Sequence, residues 1–301
     1  MSKAPDRAKL GTERANPAAT EFDTRSALQI ARLINDEDAH VPFVIRTILP
    51  DIARAIDAIA AALSRGGRLI YVGAGTSGRI AALDASECPP TFNTPPRMVE
   101  YVIAGGARAL ARAMEVNEDS PKLGRRDLAK KRPTKKDVVV GISASGRTPY
   151  TLGALEYARQ RGAATVAVVG NPGSPMERAA EIAIVVETGP EVVAGSTRMK
   201  AGTAQKLVLN MLTTGAMTRM GYVYGNLMVN VHLKNRKLVE RGLTILERAA
   251  GLDREAAKRA LAAAGNSVPV ALVMLKTGLV RAEAKRRLAA AHGHVRRAME
   301  G

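Results

Sequence analysis

The chain has 301 residues, 46% of them hydrophobic, with three Phe, six Tyr and no Trp, enough to bury one large core or two modest ones built mainly from Ala and Val. A single cysteine, Cys88, excludes an intramolecular disulfide, and four scattered histidines (His40, His232, His292, His294) with no Cys/His cluster argue against a metal centre. A formal net charge of +17 raises nucleic-acid binding, but the basic residues are dispersed and lack interleaved aromatics. No nucleic-acid partner is expected, and an Arg- and Ala-rich bias accounts for much of the charge, the rest helping to attract a small anion.

The N-terminus is polar (MSKAPDRAKLGTERANP), without the apolar centre of a signal peptide. No run of about 18 apolar residues occurs, so no membrane span is expected, and a cytoplasmic location follows. Residues 1 to about 22 lack periodicity and read as an extended arm. Thr24 to Ile34 carries apolar residues at helical spacing (Ala27, Ile30, Ala31, Ile34) and should be a helix ending at 35–38. Val41 to Leu63 has Pro42 and Pro50 near helix starts, where proline is tolerated.

Strands and helices then alternate. Leu69 to Val72 is a buried strand that breaks at Gly73-Ala-Gly-Thr-Ser-Gly-Arg79 into a helix starting near Ser77. Met98 to Ala104 is a second strand, followed by a short helix over 107–115. The plan of the first turn recurs 68 residues on, in Asp137-Val-Val-Val-Gly-Ile-Ser-Ala-Ser-Gly-Arg147, with Gly141, Ser145 and Gly146 in the places of Gly73, Ser77 and Gly78. A helix over 149–161 follows, and Thr165 to Val169 and Ile182 to Val186 complete five strands. The basic run at 130–136 reads as a solvated loop. Uninterrupted apolar strands alternating with helices predict an α/β fold with a five-stranded parallel sheet covered by helices on both faces. Ligands in such sheets bind beyond the carboxyl ends of the strands, where both glycine turns lie.

Residues 195–206 (GSTRMKAGTAQK) should open a long helix capped by Ser196 or Thr197, and another should cover 225–250. Residues 252–299 show three short helical patterns separated by Gly265 and Gly278, a small bundle appended to the main domain. The organisation expected is an arm with N-terminal helices over 1–58, the sheet domain over 59–222, a connecting helix over 223–250 and the bundle over 251–301.

The two turns collect Gly75, Thr76, Ser77, Ser143, Ser145 and Thr148. Backbone N–H groups and a helix dipole aimed at one point suit an anion, and this many hydroxyls can hold a phosphate monoester without Lys or Arg. Neither turn matches the Walker spacing or has the third glycine of the dinucleotide fingerprint, so a sugar phosphate is favoured over a nucleotide. Ser196, Thr197 and Lys200 are further candidate contacts. Glu87, before the Pro89-Pro90 pair expected to stop its helix, sits where a carboxylate is electrostatically misplaced, which suits a proton donor; an exposed Glu beside a helix end is the plainer reading. Glu115 and Glu118 follow in an acidic cluster that composition alone reads as a solvated loop.

The motifs GAGTSGR, LDASECPPTF, GISASGRTPY, EVVAGSTRMKAGTAQKLVLNM and YGNLMVNV, with TERANPAATEFD and LINDEDAHVP near the start, resemble the N-acetylmuramic acid 6-phosphate etherase family, built on the sugar-isomerase (SIS) domain. The resemblance runs from about residue 12 to the end and is weaker after 250. It implies a flavodoxin-like sheet, a C-terminal bundle of ubiquitin-associated type, a homodimer without cofactor or metal, and cleavage of the D-lactyl ether at C3 of the sugar in cell-wall recycling. Carried over, Glu87 of SECPP corresponds to the family's proton donor and Glu118 to its second catalytic carboxylate. Glu118 is placed as the base at C2 and Glu87 as the acid, with the reverse assignment open. Val116-Asn117, where relatives commonly have Gly-Ala, and VHLKNRKL at 231–238 depart from the family pattern. Two other readings on the same fold are a sugar-phosphate isomerase, which also needs a base at C2, and a non-enzymatic sugar-phosphate sensor, against which the presence of both glutamates argues.

Overall fold

The computed structural model describes residues 10–114, 117–231, 233 and 235–300. Glu115, His232, Val116 of the first departure and the first nine residues of the arm lie outside them. The chain divides into two compact units, Met1–Ala85 with Arg97–Leu212, and Ser86–Pro96 with Thr213–Gly301.

The first unit opens with α1 (Ala27–Asp38), α2 (Val41–Thr47) and α3 (Leu49–Ser64). Ser26 starts α1 in a capping box, accepting from the Gln29 N–H while the Gln29 side chain accepts from its own; this satisfies two donors that a helix start leaves open. Five parallel strands follow, β1 (Leu69–Gly73), β2 (Val99–Ile103), β3 (Val138–Ser143), β4 (Ala164–Val169) and β5 (Ile182–Val185), in the order β2-β1-β3-β4-β5. Leu69 pairs with Val99 on one side and Val138 on the other, so the strands start level and their carboxyl ends share one edge. Because side chains alternate along a strand, Ile70, Val72, Val139, Ala167 and Val169 form one buried face with Tyr150, Ala154, Leu155 and Met176. The intervening Leu69, Tyr71, Val138, Val140, Ile142, Val166 and Val168 are buried on the other, and α3 packs on β1, β3 and β5. The expected sheet is therefore present.

At the amino ends of the strands, buried Asp137 accepts from the Arg68 backbone N–H (2.8 Å), from Arg68 Nε (3.2 Å) and Nη2 (2.9 Å) and from the Thr134 N–H (2.8 Å). Arg68 also pairs with Glu100 at 3.0 Å, so one guanidinium ties β1 to both neighbours. Burial opposes ionisation of Asp137, but the hydrogen bonds from Arg68 and Thr134 outweigh it and hold the carboxyl below its ordinary range. A carboxyl whose pKa falls on folding stabilises the protein above its unfolded value of about 3.9 and loses that contribution as pH drops through the folded value. Asp137→Asn should lower the unfolding free energy by about 3 kcal/mol at neutral pH and remove part of the acid-side loss of stability. Denaturant titration at several pH values reads both; an unchanged midpoint would mean that the cluster holds nothing together.

Several elements differ from expectation. The helix that begins at the first glycine turn, α4, runs over Gly75–Phe92, straight through Pro89 and Pro90. Proline's fixed φ is compatible with a helix, and the Asn93 N–H still reaches the Pro89 carbonyl (2.9 Å), so Glu87 stands inside the helix rather than at its end. The helix expected over 107–115 is a 3-10 turn, Gly106–Leu110, whose one buried side chain is Ala109, too little apolar surface to hold more. Helix α5 (Pro121–Ala129), in a stretch with no element expected, packs against α6 (Pro149–Gln160). A Cβ at Gly124 would collide with the Tyr150 carbonyl, so this glycine sets the closeness of the packing. The arm from Gly11 to Thr24 is folded into three 3-10 turns. After α7 (Pro175–Ala179), the long helix α8 spans Lys200–Arg219; it starts later than expected because neither Ser196 nor Thr197 caps it. The Glu191 carboxylate does, accepting from the Lys200 (2.9 Å) and Ala201 (3.0 Å) N–H groups. Burial pushes Glu191 above the usual carboxylate range against the pull of those N–H groups.

In the second unit the helix expected over 225–250 is preceded by a short antiparallel pair, β6 (Val223–Tyr224) and β7 (Leu227–Met228), turning on Gly225-Asn226. Helix α9 (Arg236–Ala250) then starts at Asn235, whose side chain accepts from the Leu238 N–H. With α10 (Arg254–Ala263), α11 (Val268–Thr277), α12 (Arg281–Ala290) and α13 (Val295–Glu300) it buries Leu243, Leu246, Leu261, Leu272 and Leu288. The third expected segment thus breaks into two helices. Asn230 Nδ2 donates to the Phe92 carbonyl (2.7 Å), tying the end of α4 into this unit. Among the described residues no single helix is long and apolar enough to cross a membrane.

Candidate active site

Strands β1 and β3 are neighbours, yet the chain leaves them for opposite edges of the sheet, and the gap above such a pair of carboxyl ends is where α/β sheets bind ligands. A cleft of about 380 Å³ lies there. From the β1 side it is lined by Ala74 and by Gly75, Thr76 and Ser77 in the first turn of α4, whose leading N–H groups have no carbonyl partner within the helix. From the β3 side it is lined by Ser143, Ala144, Ser145, Arg147, Thr148 and Pro149.

The two turns are not superposable in detail. After β1 the helix starts at once, so Ser77 is helical; after β3 an irregular loop runs to Thr148 because Pro149 fixes the helix start and disfavours a helical residue before it. That loop is held by its own hydroxyls. Ser143 Oγ lies 2.8 Å from Thr148 Oγ1 and 3.3 Å from Ser145 Oγ, and accepts from the Gly146 N–H (3.2 Å). Gly146 has φ +66°, and a Cβ there would collide with Ser174 Oγ, so the position requires glycine. The result is a cluster in which the Ser143 hydroxyl is within bonding distance of two others at a helix start, an arrangement suited to an oxyanion.

Glu118 lines the cleft together with Asp119, and its backbone carbonyl accepts from the Tyr150 N–H (2.9 Å), which fixes this loop to the first turn of α6. Thr197 also lines the cleft. Ser196 is not among the lining residues, and Lys200 is turned away: buried, with its ammonium paired to Glu37. Burial opposes the charge on Glu37, but Lys200 and Asn16 hold its carboxyl below the usual range. Glu87 is exposed, does not line the cleft, and lies ten residues beyond Ser77 on α4, roughly 15 Å along the axis.

Sequence reasoning did not single out Leu10, Glu13, Asp119 or Arg147 among the lining residues. Glu13 is brought in by the arm. Thr12, buried, accepts from Asn171 Nδ2 (3.1 Å), which also donates to the Ala144 carbonyl (3.0 Å). Asn16 Nδ2 donates to Glu37 (2.8 Å) and to the Pro190 carbonyl (3.2 Å). The signal was present in TERANP, where charged and amide side chains crowd a stretch without periodicity. Among the described residues no group of His, Cys, Asp and Glu is placed to hold a metal ion.

A doubly wound sheet with this cleft defines the SIS class of sugar-phosphate domains. The family model of the glucokinase regulatory protein N-terminal SIS domain matches residues 51–159, and that of the SIS domain matches residues 126–215. A solved Bacteroides fragilis protein, described as a phosphosugar isomerase involved in capsule formation, shares the fold with a TM-score of 0.51 at 18% identity, over 69% of this chain and 98% of that one. N-Acetylmuramic acid 6-phosphate etherase 2 of Vibrio parahaemolyticus is 53% identical over 294 residues, 98% of each chain. The etherase of Yersinia pestis is 52% identical over 290 residues, 96% of this chain and 98% of that one. The chain belongs to the N-acetylmuramic acid 6-phosphate etherase family.

Proposed function

We propose that this chain is a carbon–oxygen lyase that cleaves the D-lactyl ether at C3 of N-acetylmuramic acid 6-phosphate, giving N-acetylglucosamine 6-phosphate and D-lactate in cell-wall sugar recycling. The observation that carries this is identity above one half with curated etherases along nearly the whole chain. The cleft supplies chemistry to match. An ether resists direct displacement, but this one is β to the C1 aldehyde of the open-chain sugar. A base removes the C2 proton, the resulting enolate expels the lactate oxygen from C3 as an acid protonates it, and water then adds at C3 to restore the hydroxyl.

The hydroxyls of Ser77, Ser143, Ser145 and Thr148 anchor the 6-phosphate, with Thr76, Thr197 and the N–H groups at Gly75 around it, and this fixes C2 and C3 against the carboxylates. Glu118 is the base and Glu87 the acid. Glu87 stands about 15 Å along α4 from the phosphate site and outside the lining of the cleft above its own strands. The reading is completed by a homodimer in which Glu87 of each copy serves the cleft of the other.

The test is a coupled lactate assay with phosphorylated N-acetylmuramic acid. Stoichiometric D-lactate is expected; a protein that interconverts sugar phosphates, or only binds them, would release none.

A further inference from the structure

The substrate proposed above carries two separate anions, the phosphate on C6 and the carboxylate of the lactyl group on C3. The phosphate has a receptor in the hydroxyl-bearing turns. For the carboxylate the lining offers, among the described residues, three like charges, Glu13, Glu118 and Asp119, and one opposite charge, Arg147. We propose that Arg147 is the carboxylate-binding residue of the cleft, pairing with the lactyl group and holding it while the C3–oxygen bond breaks. This rests on the etherase reading of the site.

Arg147 is placed for that and is otherwise unemployed. Among the described residues it forms no ion pair and its side chain makes no hydrogen bond, while its Nε is buried without a partner. A buried donor left unmade is costly, and a ligand oxygen would satisfy it. The backbone of Arg147 is pinned in the phosphate loop, its N–H donating to Ser145 Oγ (3.2 Å). Its side chain, in contrast, bonds none of Ser143, Ser145 and Thr148, whose hydroxyls are close to one another. The guanidinium is therefore uncommitted in the lining that it shares with these three hydroxyls, and available to a second anion on the same sugar. A planar guanidinium can present two N–H groups to one carboxylate, which fixes the direction of the leaving group and offsets repulsion from the three acidic residues. The same charge stays on lactate after cleavage, so the contact persists from substrate to departing product.

Arg147→Gln and Arg147→Lys test this against two ligands that differ in the lactyl group, the muramic sugar phosphate as substrate and N-acetylglucosamine 6-phosphate as inhibitor. In the Gln variant KM for the substrate should rise about tenfold or more, with a smaller rise for Lys. The inhibition constant of N-acetylglucosamine 6-phosphate should stay within about twofold. The thermal midpoint should not move, because no protein partner is lost. Equal weakening of both ligands would assign Arg147 to the phosphate and overturn the proposal, as would an unchanged KM or a loss of stability that accounts for the effect. Lactate release by the wild type is read in the same assay, so its absence would count against the etherase reading, whereas normal wild-type turnover with an indifferent Arg147→Gln variant would count against Arg147 alone.

Discussion

Glu118→Gln should lower the rate of D-lactate release by about 10³-fold, the middle of the range that a positioned acid or base contributes. Glutamine keeps the shape of the side chain and loses only the ability to take a proton. Glu118 lines the cleft, and its carbonyl is bonded to the Tyr150 N–H, so the residue is held by main chain that the substitution leaves alone. Affinity for N-acetylglucosamine 6-phosphate should therefore be nearly unchanged. Isotope exchange separates the two possible roles. A wild-type enzyme working in heavy water should exchange the C2 hydrogen of that product, and Glu118→Gln should not if Glu118 is the base. Exchange at the wild-type rate in a variant that releases no lactate would make Glu118 the acid instead, and normal lactate release would remove it from the mechanism.

The second expected result concerns Glu87. Glu87→Gln alone should be inactive in lactate release and still able to exchange the C2 hydrogen, because proton abstraction does not need the acid. The decisive measurement mixes two inactive proteins. If Glu87 serves the opposite cleft of a two-fold dimer, a mixed dimer of Glu87→Gln with Glu118→Gln has one site with both carboxylates intact and one with neither. Random reassembly of equal amounts makes half the dimers mixed, and about one quarter of wild-type activity should return. No recovery on mixing, under conditions where tagged subunits demonstrably exchange, would show that Glu87 does not act across a dimer. Because α4 is a single continuous helix from Gly75 to Phe92, loop rearrangement near the cleft cannot bring Glu87 back to its own strand ends.

Much of this architecture is visible in the residues. The five strands are short runs rich in β-branched residues, and a run buried on both faces reads the same wherever it sits in the chain. Ser143, Ser145 and Thr148 fall within six residues, so their convergence needed only one loop. Elements that failed to show depend on distant partners. Helix α5 buries little more than Gly124 and Leu128, and four of its nine residues are charged. It is a helix because Gly124 lets it press against the Tyr150 carbonyl, and because Ser120 accepts from the Leu123 N–H at its start. Helix α8 starts at Lys200 because Glu191, nine residues upstream, folds back to cap it.

The same division runs through the candidate site. Local sequence determined the strands, the two glycine turns, the hydroxyls they carry and the family to which such motifs belong, since each depends on backbone preference and on neighbours a few residues away. Only the tertiary structure decided which charges line the cleft. It sends Lys200 to Glu37, draws Glu13 to the cleft through the contacts of Thr12 and Asn16, leaves Arg147 in the lining, and carries Glu87 along α4 away from the strand ends. A charged side chain is long and its partner is chosen by packing across the fold, so its destination is not written in the residues beside it.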